Sequence, residues 1–179
     1  MAMAEAVVTQ EHASTHRTHL VREAATMVLY VSVVEIAELA AIPEEHFAHG
    51  RVTGPVGGAL LAVVWGTAVG LAIAHWFAFR IAAPAFRGES PTRLDAQIGL
   101  AQLAGAILVA AISSLPVLLL NDVRAQETTG DVPAVIIGVI GYFVARASGR
   151  GQLQAVAYGV TALALGVAVA LVTVKLAAH

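Results

Sequence analysis

Five runs of mostly apolar residues, each near the roughly 20 residues that a helix needs to cross about 30 Å of hydrocarbon, follow one another with short polar breaks between them. In lipid every backbone polar group must be satisfied inside the protein, and a helix does this within a single segment. The runs cover about residues 23–42, 55–85, 94–120, 132–147 and 153–177, forming a transmembrane domain over 23–179 behind a polar tail over 1–22. The expected fold is therefore all-α, a polytopic transmembrane helical bundle of five spans.

Prolines punctuate the runs. Pro43 stops the first, since Pro cannot continue a helix, and Pro55 opens the second, where a missing N–H is harmless. If wholly helical, the second run would measure about 46 Å, which predicts tilt or an extension beyond the bilayer. Pro116 predicts a kink one turn earlier in the third. The fourth is short and ends at SGRG.

Composition narrows the classes further. Charged residues make up 12% of the chain, against about 25% in soluble domains. The absence of Cys excludes disulfides, thiolate metal sites and a Cys nucleophile. A net charge of −2 offers no footprint for nucleic acid. Neither H-E-x-x-H nor G-x-S-x-G is present, so no enzyme is expected and no cofactor is predicted.

The stretch HASTHRTHL is polar where a signal peptide needs an apolar core, so the first run is expected to be a retained span and residues 1–15 a disordered or fraying tail. Arg17, Arg22, Arg80, Arg87, Arg93, Arg146 and Arg150 fall on one side of the spans. Arg51, Arg124 and Lys175 fall on the other, with Glu44, Glu45, Asp122, Glu127 and Asp131. By the positive-inside rule the N-terminus is cytoplasmic and the C-terminus outside.

Ionisable residues inside a span are costly and need a reason. Glu35 and Glu38 lie three apart in the first run and share a helical face. Two charges so close are disfavoured, and one of the pair is expected to carry a proton. Asp95, Gly99, Gln102, Ala106 and Ser113 form a small and polar stripe in the third run. His75 in the second adds a group that titrates near neutrality. By helical depth, Asp95, Gln102, His75, Glu35, Glu38 and Ser113 would form a ladder of proton or cation stations if their helices faced one another. Each also has a plainer reading as an interhelical hydrogen bond, with Asp95 complementing a helix dipole.

Gly66, Gly70 and Ala74 in the second run, and Gly159, Ala162, Gly166 and Ala170 in the fifth, are packing stripes that permit close helix approach. Tyr30, Tyr142, Tyr158 and Thr161 are expected to add interhelical hydrogen bonds. Two weaker sets lie outside the spans: His12, His16 and His19 at helical spacing, and Glu44, Glu45, His46 and His49 in PEEHFAHG. His and carboxylate ligands suit Zn, Fe or Ni, so the latter four are weak metal candidates.

The stretches MVLYVSVVEIAELAA, AVVWGTAVGLAIAHWFAFRIA and VALVTVKLAAH resemble a family of small actinobacterial multi-pass integral membrane proteins. The resemblance implies a bacterial inner-membrane location and carries no activity with it. The E-x-x-E of iron permeases is also matched by Glu35 and Glu38, but the Arg before Glu in that motif and a second copy are absent. Two functions follow from these residues. The favoured one is a homo-oligomeric ion channel or proton-coupled carrier, its pore lined by the first or third span; the alternative is a non-catalytic scaffold or accessory subunit with a membrane-protein partner.

Overall fold

The computed structural model describes residues 2–42, 54–87 and 93–177, with most side chains described from Arg17 onward. The described residues are mostly helical, without strands: α1 (Ala2–Ala40), α2 (Gly58–Arg87), α3 (Arg93–Ser113), α4 (Leu115–Leu119), α5 (Asp122–Ala147) and α6 (Gln152–Ala177).

Four helices are long and apolar enough to cross a membrane, over Gly58–Ala78, Arg93–Leu119, Arg124–Ala147 and Gln152–Val172. The first expected span is not among them, because residues 23–40 of α1 carry Glu23, Glu35 and Glu38. That stretch forms the centre of the molecule, where α1 packs against α2, α3, α5 and α6. Met27, Val28 and Val31 of α1 meet Val64, Ala68 and Ala72 of α2 and Ala106, Val109 and Ala110 of α3 in one buried cluster. Ile36 meets Ile137 of α5 and Ala170 of α6 in a second. The outside is apolar, with Leu119, Leu153, Leu165, Phe77 and Phe143 all well exposed. Such a surface suits a solvent that is itself apolar.

Two expectations about element ends are corrected. The tail is not irregular: α1 begins at Ala2. Its polarity argued against membrane insertion, not against helix, and AMAEAVV is rich in good helix formers. The fourth run is not short either, since α5 starts ten residues before Val132, at Asp122. Asn121 caps it, its side chain accepting from the Arg124 backbone N–H at 3.2 Å, with Asp122 in the positive first turn. Asp122 and Asp131 therefore belong to a helix and not to a loop. Pro133 is tolerated inside α5, fully buried.

Other sequence features meet the structure directly. The third run breaks at Ser114, between α3 and α4, with Pro116 in the first turn of α4. The SGRG stretch closes α5: the Arg150 N–H donates to the Ala145 carbonyl at 3.2 Å and the Gly149 N–H to Arg146 at 3.0 Å. This pairing needs a left-handed residue, and Gly149 has φ of 77°. The α5–α6 seam is closed backbone to backbone. A Cβ on Gly159 would lie 2.7 Å from the Gly138 carbonyl oxygen, and one on Gly141 would lie 2.9 Å from the Ala162 Cβ. Gly105 of α3 brings that helix against α1 in the same way, 2.7 Å from the Ala24 carbonyl oxygen.

Candidate functional site

The buried face of α1, built mostly of Met27, Val28, Val31 and Ile36, also carries the polar groups of interest. Ser32 and Glu35 lie one turn apart and are 0% and 1% exposed. Glu35 Oε2 accepts from the Ser113 hydroxyl at 2.8 Å, while Oε1 is buried without a hydrogen-bond partner. Ser32 Oγ is likewise buried and unpartnered. No Lys, Arg or His pairs with Glu35 among the described residues; the described ion pairs there are those of Glu23 with His19 and Arg22. A carboxyl so placed must have its charge balanced by a proton or a small cation, since an isolated buried charge is prohibitively costly.

Two hydroxyls at this site, those of Ser113 and Thr67, bond differently from the others. Thr26, Ser114, Thr129, Ser148 and Thr161 each donate to the carbonyl four residues earlier in their own segment, the usual resting place of a helical hydroxyl. Ser113 instead donates across to Glu35, and Thr67 of α2 donates to Glu38 Oε2. One step beyond Ser113, the Trp65 indole N–H of α2 donates to Ser114 Oγ at 2.9 Å.

A second polar contact lies about 18 Å along α1 from the first, twelve residues away at the helical rise. There the Gln102 amide donates to Glu23 Oε2 at 3.2 Å, beside His19, whose Nδ1 lies 4.0 Å from Glu23 Oε1. Met27, Val28, Val31 and Val109 fill the space between the two contacts.

The expected ladder is therefore assembled only in part. Glu35 and Ser113 meet, and Gln102 meets α1, though through Glu23. Glu38 lies at the exposed rim of α1. His75 is exposed on the outer face of α2, away from the core, and Asp95 lines a groove between α2 and α3. These departures share one reason: depth along a helix is set by residue number, whereas facing is set by how the helix is rotated in the bundle. Helix α1 packs against α2, α3, α5 and α6 of its own chain.

The packing stripes divide in the same way. Gly159, Ala162 and Gly166 face α5, with a Cβ on Gly166 falling 2.7 Å from Ile137 Cδ1. Gly66, Gly70 and Ala74 face outward, and a Cβ on either glycine would meet nothing within 4 Å. Thr161 bonds within its own helix and not across a seam. Tyr30 is exposed, Tyr142 packs edge-on to Phe143 and Tyr158 carries Arg150 over its ring at 5.0 Å. The metal candidates Glu44, Glu45, His46 and His49 lie outside the described residues, as do the side chains of His12 and His16. Among the described residues no cluster of three or more His, Asp or Glu could hold a metal ion.

Sequence reasoning missed Glu23, Ser32, Thr67 and Trp65. Ser32 had a signal, lying three residues before Glu35 and so on its face. Thr67 had none, because it is a partner across helices. Comparison with protein families, with curated proteins and with solved structures finds no match to this chain. The chemistry rests on the residues themselves.

Proposed function

We propose that the protein is a five-span integral membrane protein of the cell membrane that binds and releases protons, or a small cation, at Glu35, working as a proton-coupled carrier. The single observation that carries this reading is the enclosed Glu35 carboxyl, with Ser113 on one oxygen, no hydrogen-bond partner on the other and no Lys, Arg or His paired with it among the described residues. Helix α1 is read as the fifth span because it lies inside a cage of four helices that could each cross a bilayer. The positive-inside count puts the N-terminus in the cytoplasm.

A carrier is favoured over an open channel because Met27, Val28, Val31 and Val109 separate the Glu35 contact from the Glu23 contact. A continuous file of water cannot cross such a plug without movement of the helices. Glu38, exposed one turn beyond Glu35, and its half-buried donor Thr67 are the exchange point with the outer aqueous phase. The route lies within one chain, between α1, α2 and α3, and assembly of copies would serve stability more than the path.

The test is proton flux in proteoliposomes under an imposed gradient, read with an internal pH dye. Wild-type protein should move protons, Glu35→Gln should abolish the flux and Glu38→Gln should slow it. Flux unchanged in Glu35→Gln, or none from wild type, overturns the proposal.

A further inference from the structure

The groove between α2 and α3 has the dimensions and polarity of a site for an amphiphile. It encloses about 480 Å³ and belongs to neither contact of α1. The two helices supply one face each, α2 through Ala72, Ile73, Trp76 and Arg80 and α3 through Asp95, Gly99, Leu100 and Leu103. Because α2 runs toward the end at which α3 begins, Arg80 and Asp95 come to the same end of the groove. Ala72 and Leu103, each eight residues further in, lie about 12 Å deeper at the helical rise.

That axis of polarity matches the membrane. Arg80 sits just past Ala78, the last residue of the apolar segment of α2, and Asp95 sits just inside Arg93, the first residue of the next segment. The charged mouth thus lies at the headgroup level and the trough in hydrocarbon. Trp76 forms the floor at the transition, its ring carrying the Arg80 guanidinium at 5.3 Å from the centroid. It can seat there because residue 99 is glycine: a Cβ at Gly99 would come within 3.0 Å of Trp76 Cδ1. The trough is open to the outside, with Ile73 58% and Leu100 64% exposed.

We infer that this groove holds one phospholipid with a primary-amine headgroup, its phosphate at Arg80, its ammonium at Asp95 and an acyl chain along Trp76 toward Leu103. The guanidinium fork matches phosphate oxygens, and a carboxylate accepts hydrogen bonds from a primary ammonium. A quaternary ammonium has no N–H to donate, and a glycerol headgroup brings no cation to Asp95. The inference rests on the membrane reading and not on the chemistry at Glu35.

The experiment is lipid titration of the full-length protein in detergent, with retained lipid counted by native mass spectrometry. Palmitoyl-oleoyl phosphatidylethanolamine, phosphatidylglycerol and phosphatidylcholine are the probes. One ethanolamine lipid should be retained with roughly tenfold preference over the other two, the worth of one charge-assisted hydrogen bond. Asp95→Asn should erase that preference, and Arg80→Gln should weaken retention of all three. Leu100→Trp should empty the trough without touching a charge, and Glu35→Gln should retain lipid as wild type does, which separates this inference from the proton reading. Equal retention of the three lipids, or an undiminished preference in Asp95→Asn, overturns it.

Discussion

The stripes Gly159–Ala162–Gly166 and Gly66–Gly70–Ala74 are made of the same residue types at nearly the same spacing, and their surroundings are opposite. On α6 the stripe is pressed against α5 so closely that a methyl group has nowhere to go, while on α2 the glycines face open space. Glu35 and Glu38 repeat the contrast three residues apart on one helix, the first enclosed and the second exposed. In both pairs the residue type is common and the environment decides what it does. A closed seam makes a small residue indispensable to the fold, and enclosure turns a carboxyl into a group that needs a proton or cation.

The most damaging way to probe the contrast is Gly159→Leu. Its side chain would drive into the Gly138 carbonyl, which is backbone and cannot swing aside, so a loss of about 3 kcal/mol is expected from overpacking. Denaturant unfolding of the detergent-solubilised protein, followed by circular dichroism, measures it; a change below about 1 kcal/mol would mean that the seam is looser than drawn. Next comes Ser113→Ala, which strips the enclosed carboxyl of its donor and is expected to destabilise by about 1–3 kcal/mol. The parallel change Thr67→Val, at the exposed Glu38, should fall below about 1 kcal/mol in the same assay, and equal losses for the two would erase the distinction between the carboxyls.

Ser32→Ala should be smaller still. It deletes a buried hydroxyl without a partner, so stability should hold or rise by a few tenths of a kcal/mol. Comparably small is Gly70→Leu, which meets nothing within 4 Å and should change unfolding by no more than about 0.5 kcal/mol. If copies of the chain meet on that face, the same variant will shift the oligomer to monomer in analytical ultracentrifugation while leaving the unfolding of the monomer alone.

How far the fold was legible in the sequence follows from the same distinction. Runs of apolar residues announced an all-helical chain, Pro116 announced the break at Ser114, and SGRG announced the end of α5. Hydropathy reports solvent rather than backbone conformation, so the polar beginnings of α1 and α5 read as tail and loop although both are helical. Residue number gives position along a helix, and on that ground the depths of Glu35 and Ser113 agree well enough for the two to bond. Rotation about the helix axis has no comparable signal in a single chain. His75 consequently faces outward, Gln102 meets Glu23, and Trp65 meets Ser114, none of which spacing alone could announce.

The break between α3 and α4 has a mechanical side. Pro116 has no N–H, so the Ile112 carbonyl lacks the partner that would continue the helix across the bend. The two residues at the bend are tethered in different directions, Ser113 to Glu35 of α1 and Ser114 to Trp65 of α2. A joint pinned this way cannot swivel freely, because any rotation that slackens one tether strains the other. The angle between α3 and α4 is thereby held from two sides, by α1 through Ser113 and by α2 through Ser114.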